Sequence, residues 1–493
     1  MRIETIICPL ALIGASASVA TNHQGSWPPP SISQEVHNPS WPMFDNLTAR
    51  WSTYDPPTFS EIFLPQTEHD LAVGVQYLAA SNKSFLARSG GHGYSVTLQT
   101  IQNAVLINME NFAYVTLNAD MTVSVGTGTT FEELIDVVGN AGRELTVGFC
   151  PGVGAVGAML GGGLGRLEGL HGLTSDAVRS VRMVTWNGTI VQASQTVNED
   201  LFWGIRGAGQ NFGVVTEVVF ETYPATNGGM QYSSDLTFAG DKLEAVLNVT
   251  NRLLTPNLDP KLAIATSLGA DPVTLEPTVR VNIVYPGPFE KGQAFRKLYS
   301  PFSSNFTEQM VSWTNLTSVA FPDIVAGGRP FGSPHNQYSV LAKNLPTASL
   351  VEALDALGDL VQQHPGLNES TIFIETFGQK ALSELPDDYS AFPHRNTFRN
   401  AIVFSVTYSD PGLADVADSW ARNMRDKFAL PEICGYDRLQ IYQNYGHGDE
   451  PLSALYGYED WRHERLTALK KKYDPHGLFN GYHAIPANIE DWS

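Results

Sequence analysis

Arg88-Ser89-Gly90-Gly91-His92 sets an imidazole directly after a Gly-Gly step. Backbone without Cβ atoms exposes converging N–H groups, which suits an anionic ligand, and the imidazole then stands at the same surface. A second tract places a thiol among glycines: Gly148-Phe149-Cys150-Pro151-Gly152-Val153-Gly154-Ala155-Val156-Gly157, followed by Gly161-Gly162-Gly163-Leu164-Gly165. Gly152 to Gly157 satisfies G-x-G-x-x-G, a pattern that is weak evidence alone. A Rossmann turn needs a substantial helix behind it. The glycine triplet at Gly161-Gly162-Gly163 is a poor continuation for one. The tract reads instead as a winding loop whose backbone lies against a large planar ligand. A flavin dinucleotide accounts for both nucleophiles. Imidazole can bond to the 8α-methyl of the ring and thiolate to C6, and both positions share one benzenoid edge. The structural alternative for Cys150 is a disulfide with Cys434, since Cys8 falls in the extreme N-terminus.

The elements that carry these loops are legible from patterning. Strands are expected at Phe59–Leu64, Phe85–Arg88, Ala104–Asn108, Met121–Gly126 and Val214–Phe220, and a helix over 68–81 with Leu71, Val75 and Leu78 on one face. Thr130-Phe131-Glu132-Glu133 is a capping box opening a helix that runs to about Gly139. Asn187-Gly188 joins Val178–Thr185 to Thr189–Ala193 as a hairpin. Residues 226–440 alternate strands, such as Thr278–Tyr285 and Ala401–Tyr408, with amphipathic helices, such as Ser349–Gln362 and Leu413–Lys427. A last helix spans about 458–472, with Trp461 and Lys470-Lys471-Lys472 read as surface. The fold class is α+β, with a second domain built on an antiparallel sheet covered by helices. The expected division is a signal peptide (1–20), an extended leader (21–55), a cofactor domain (56–225), a substrate domain (226–440) and a C-terminal segment (441–493) that returns to the cofactor domain.

The net charge of −20 repels polyanions, which argues against nucleic acid as a partner. Met1-Arg2, an apolar run to Val19 and Ser18-Val19-Ala20 have the form of a secretory signal, and no other run is long enough to span a bilayer. Sequons at Asn46, Asn82, Asn187, Asn248, Asn305, Asn315 and Asn368 fit N-glycosylation in that pathway. A secreted or lumenal protein without a membrane anchor is the expectation. No metal-ligand set is assigned.

From Pro56 to the C-terminus the sequence resembles the berberine-bridge-enzyme-like flavin oxidases, of the PCMH-type or vanillyl-alcohol-oxidase fold. The landmarks, in order, include Phe63-Leu64-Pro65-Gln66, Arg88 to His92, Gly148 to Gly154, Arg206-Gly207-Ala208-Gly209-Gln210-Asn211-Phe212-Gly213, Phe392-Pro393-His394-Arg395, Tyr442-Gln443-Asn444-Tyr445 and Tyr473-Asp474-Pro475. The resemblance implies FAD linked twice, by an 8α-histidyl bond at His92 and a 6-S-cysteinyl bond at Cys150. It implies a cofactor shell of Arg88, Ser89, Gly90, Gly91, Gly93, Val153, Gly154, Gly157, Gly163 and Asn444. Val153 falls where relatives guard oxygen access, and a small residue there implies an oxidase that passes electrons to O₂. Tyr442 or Tyr445 is implied as the base, and Glu375 and Gln379 are expected to point into the cleft. The Ala401–Tyr408 strand lacks the polar contact that some relatives place there. The implied activity is oxidative tailoring of a fungal secondary metabolite. The alternatives are an oligosaccharide oxidase and a flavin-holding storage or binding protein without turnover.

Overall fold

The computed structural model describes residues 27–254, 258–322 and 332–492. The signal-peptide reading falls outside the described residues. The fold is α+β. Phe59–Phe63, Ala104–Asn108 and Phe85–Arg88 run parallel, and Val36–His37 adds an antiparallel edge. Every residue of Ala104–Asn108 is buried, as expected of a parallel strand covered on both faces. Helix Glu68–Ala80 links the first two of the chain's parallel strands. The Thr67 side chain caps it by accepting from the Asp70 N–H, and Leu71, Val75 and Leu78 are buried. Next to this sheet stands a five-stranded antiparallel one in the order Val115–Leu117, Val123–Gly126, Val214–Phe220, Val178–Val184, Ile190–Ser194.

The remainder is built on a seven-stranded antiparallel sheet. Its order is Asn305–Ser312, Met230–Ala239, Pro277–Tyr285, Ala263–Ala270, Thr371–Phe377, Asn400–Thr407, His335–Ala342. One face buries Ile372, Ile374, Ile402, Phe404 and Val406 against a core that includes helices Leu243–Leu253, Thr347–Gln363 and Ala414–Phe428. The alternate positions, Thr371, Phe373 and Glu375 on one strand and Val403, Ser405 and Thr407 on the next, line a cavity between this sheet and the cofactor loops. Strand periodicity of two thus separates a dry core face from a site face.

Two sequence readings are corrected. The segment read as an extended leader is folded: Pro30–Glu35 is a 3₁₀ turn, Val36–His37 joins a sheet and Phe44–Thr48 is a short helix. Ile32, Phe44, Arg50 and Ser52 are buried. Apolar anchors spaced along an irregular segment leave no periodic signal, so only tertiary contacts reveal its docking. Likewise Lys470 is not a surface lysine. It is 2% exposed and paired to Asp474 at 2.6 Å. The i, i+4 geometry of that pair supplies the counter-charge that a buried ammonium needs.

Candidate active site

Strand Phe85–Arg88 delivers the chain into the Ser89–Gly93 loop, and the capped helix Phe131–Asn140 holds the cysteine loop against it. The Phe131 and Glu132 N–H groups, free of intrahelical partners in the first turn, donate to the Val153 and Pro151 carbonyls at 3.0 and 2.9 Å. Thr130 and Glu133 complete the capping box. The two glycine loops touch. A Cβ on Gly90 would lie 2.4 Å from the Gly154 nitrogen, and one on Gly154 would lie 2.3 Å from Ser89 Oγ. Ser89 Oγ donates to the Thr127 carbonyl at 2.5 Å, so its side chain is engaged within the protein. The Arg88 guanidinium donates to the Leu47 carbonyl and lies beneath Gly91, whose φ is +77°. Gly152 to Gly157 does lead into a helix, Ala155–Leu160, but one of six residues. Gly161, Gly162 and Gly163 then turn the chain away, the last two at positive φ.

These loops, the N-terminal segment and the seven-stranded sheet enclose a cavity of about 1030 Å³. That is at the upper end of the roughly 300–1,000 Å³ usual for small-molecule sites, room for a dinucleotide with a substrate beside it. His92 and Cys150 both line it. Cys150 and Cys434 are free thiols, so the disulfide alternative is excluded. Cys434 is buried in the substrate domain, its sulfur against the Ala429 and Tyr436 carbonyls. Gln210 Oε1 and Tyr94 Oη are buried, belong to cavity-lining residues and have no hydrogen-bond partner among the described residues. Unsatisfied polar atoms in such a wall await a polar ligand. A bare-amide loop, two nucleophiles and unsatisfied polar groups on one large cavity fit FAD.

At the substrate side, Tyr445 donates to Glu375 Oε2 at 2.9 Å. Glu375 is 2% exposed and sits opposite Ala265 and Ala401 on the flanking strands. Burial pushes its carboxyl up to about 7, against the opposing hydrogen bond from Tyr445 and the positive charge of Arg166. The Tyr442 oxygen accepts from the Gly163 and Leu164 N–H groups at 2.9 and 3.3 Å and from Asn444 Nδ2 at 2.7 Å. Those donors favour a phenolate, but burial outweighs them and raises the phenol. Asn444 also donates to the Ala158 carbonyl at 2.8 Å, tying this tract to the cysteine loop. The Tyr442 and Tyr445 rings meet edge to face at 4.9 Å.

Of the expected cleft residues, Gln379 departs. It is engaged with Arg399 and does not line the cavity. Strand Asn400–Thr407 does offer polar contacts there, through Ser405 and Thr407. Sequence reasoning also missed Arg166. It is 7% exposed, with its guanidinium 3.8 Å from the centroid of the Phe149 ring. The signal was present: Arg166 is the sole arginine or lysine between Arg143 and Arg179. Burial raises the Cys150 thiol to about 11, Glu375 adds to that, and Arg166 opposes it.

Residues 60–194 match the family model for an FAD binding domain, and residues 441–486 match the model described as berberine and berberine like. A FAD-linked oxidoreductase, srdI, of Neurospora crassa is 32% identical, with 96% of each chain covered. The FAD-linked oxidoreductase OXR1 of Pyricularia oryzae is 34% identical, over 90% of this chain and 87% of the relative. The chain belongs to the berberine-bridge-enzyme-like FAD-linked oxidoreductases. It is an enzyme of that class, and the second matched segment carries both tyrosines of the site. Among solved structures, the Physcomitrella patens BBE-like 1 protein superposes with a TM-score of 0.79 at 23% identity, over 92% of this chain and 97% of that one. A chitooligosaccharide oxidase gives 0.76 at 22%, over 91% and 96%. A glucooligosaccharide oxidase from Acremonium strictum, described with a 6-S-cysteinyl, 8α-N1-histidyl FAD, gives 0.79 at 20%, over 92% and 97%. At these identities the likeness is one of fold.

Proposed function

We propose that this berberine-bridge-like enzyme is a secretory-pathway oxidase that holds FAD through His92 and Cys150 and tailors a fungal secondary metabolite, with O₂ as electron acceptor. One observation carries the reading. His92 and Cys150, 58 positions apart in the chain, line one cavity together with the hydrogen-bonded Tyr445–Glu375 pair. Each covalent bond replaces one hydrogen on the flavin and one on the side chain, and the two electrons and two protons released pass to O₂ as hydrogen peroxide. Bound there, the cofactor supplies the hydride acceptor. The chain's part is to hold the donor and move its proton. Tyr445 takes the proton from the substrate hydroxyl, amine or activated carbon while passing its own to Glu375, whose carboxyl near 7 can accept it. Tyr442, pinned by three N–H donors, packs against the Tyr445 ring and fixes its direction. Residues of the Ser89–Gly93 and Gly154–Gly163 loops, which line the cavity, would hold the dinucleotide. Val153, which lines the cavity, would leave oxygen access to the bound cofactor.

The secretory reading is supported by the sequons: Asn46, Asn82, Asn187, Asn248, Asn305 and Asn315 are exposed, and Asn368 is half-buried at the cavity rim. An oligosaccharide oxidase is the second reading, favoured by the hydroxyl-bearing floor of Ser267, Thr371, Ser405 and Thr407. The fungal relatives that match nearly end to end favour the first.

Peptide mapping of the denatured protein tests the cofactor reading. Flavin mass is expected on both the His92 and the Cys150 peptide. His92→Ala and Cys150→Ala should each keep one bond, and the double variant should release FAD into acid. Absence of covalent flavin from the wild type would overturn it. Oxygen uptake with oligosaccharide and phenolic or amine panels separates the substrate classes, and fast turnover of oligosaccharides alone would overturn the first.

A further inference from the structure

The folded N-terminal segment reaches the cofactor cavity at one residue. The Trp51 indole stacks on the His335 imidazole, with centroids 4.1 Å apart and planes 6° apart. The same indole lies over the His92 imidazole at 5.7 Å and 18°. The result is a three-ring pile, His92–Trp51–His335, with all three rings on the cavity wall. Each ring comes from a different part of the chain: the cofactor loop, the N-terminal segment and the edge strand His335–Ala342 of the large sheet.

Hydrogen bonds to backbone carbonyls on both sides of Trp51 hold these rings in place. Toward the cofactor loop, the Trp51 N–H donates to the Gly91 carbonyl at 3.2 Å. Arg50 Nη2 donates to the Gly93 carbonyl at 2.6 Å. Those two carbonyls flank His92. Toward the large sheet, Ser52 Oγ donates to the His335 carbonyl at 2.6 Å, and the Thr53 N–H donates to the Ser333 carbonyl at 3.0 Å. His335 is itself held, its Nδ1 3.0 Å from Thr407 Oγ1. Residues 50–53 therefore act as a strap with one rigid aromatic plate, seated on a fixed imidazole and covering a second. Glycines flank His92 on both sides.

We infer that Trp51 is a positioning residue for the histidyl–flavin bond: stacked on His335, it sets the plane of the His92 ring and points one ring nitrogen at the benzenoid edge of the cofactor. The inference rests on the bicovalent reading above. The bond it serves is the one balanced there, with imidazole N–H and methyl C–H hydrogens leaving and O₂ taking the electrons. An aromatic plate is suited to this task. Offset-stacked rings at these separations restrain tilt while leaving the ring edge open for bonding. A small loss of alignment at a reacting atom costs about tenfold to a hundredfold in rate.

The test compares wild type, Trp51→Ala, Trp51→Phe and His335→Ala as full-length purified proteins. It uses mass spectrometry to measure the flavin-linked fraction of the His92 peptide, and of the Cys150 peptide in the same digest. Trp51→Ala is expected to lower the His92-linked fraction about tenfold or more while the Cys150 bond stays near the wild-type level. Trp51→Phe, which keeps a stacking ring, should restore most of it, and His335→Ala should give an intermediate loss. An unchanged His92 fraction in Trp51→Ala, or equal loss of both bonds with no rescue by Phe, overturns the positioning role. The wild-type arm reports separately on the parent reading, because a wild type without flavin on His92 defeats that reading whatever the variants do.

Discussion

Replacing Glu375 by Gln should make the protein more stable and the enzyme worse, and both effects follow from one carboxyl. Glu375 is 2% exposed, and burial moves it from the ordinary 4.5 to about 7. The groups acting on it are Tyr445, which donates to it, and the Arg166 cation. Both favour the ionised form, and burial exceeds them. A carboxyl that holds its proton more tightly when folded stabilises fully below its unfolded value of 4.5, and that contribution is lost as pH rises through about 7. The shift is worth roughly 3 kcal/mol. Gln never ionises, and its amide oxygen still accepts from Tyr445. Denaturant titrations should therefore give equal stability for Glu375→Gln and wild type near pH 4, and a variant more stable by about 3 kcal/mol near pH 8.

Activity should move the opposite way. Without an acceptor for the Tyr445 proton, turnover of a donor chosen from the oxygen-uptake panel should fall about 10²- to 10⁴-fold. The wild-type rate should rise with pH through a midpoint near 7 as Glu375 ionises. The variant should lack that limb. Equal stability of the two proteins at pH 8, or a variant that keeps turnover within about threefold and the same limb, would refute the assignment of Glu375 as proton acceptor.

Other outcomes follow from the same geometry. Arg166→Met removes the cation that favours the Cys150 thiolate, so the cysteinyl-linked fraction in peptide maps should fall severalfold while the His92 bond persists; no change would remove Arg166 from the chemistry. Gly154→Ala drives a Cβ to 2.3 Å from Ser89 Oγ and 2.6 Å from the Gly90 nitrogen, and should cost about 1–3 kcal/mol in denaturant and reduce both bonds. Gly157→Ala meets only Ser89 Cβ at 3.9 Å, so the fold should tolerate it. A weakened flavin bond there, read by release into acid, would report direct contact between ligand and that backbone.

Much of this was readable in the chain. Strands Phe85–Arg88, Ala104–Asn108 and Val214–Phe220 fall where apolar patterning puts them. The capping box at Thr130 opens its helix as expected. Glu375, expected in the cleft from its strand, lines the cavity and accepts from Tyr445, whose ring meets that of Tyr442. What could not be read depends on partners far apart in sequence. Tyr442 meets Gly163 across 279 positions, and Ser52 meets His335 across 283. Nothing local marks Trp51 as the residue that lies over His92, and the one local sign that sets buried Lys470 apart from the two lysines beside it is Asp474 four residues on. Such choices are made by packing, after the local elements exist.

The glycine run shows where composition misleads and geometry corrects it. Flexible residues cost conformational entropy on ordering, so their density suggests a ligand that compensates. Yet several of these glycines are required by the protein's own crossings. A Cβ on Gly161 would strike the Asn444 and Gln443 side chains, one on Gly165 would strike the Val147 carbonyl, and one on Gly169 would strike Pro260 and Gly378. The run would be rich in glycine with no ligand at all. What calls for a ligand is the part that packing does not explain: Gly157 with almost nothing near it, Gln210 and Tyr94 with unsatisfied oxygens, and an imidazole and a thiol on the same wall. The functional signal is therefore the residue of a subtraction, what remains after every glycine has been assigned to the neighbour that excludes its side chain.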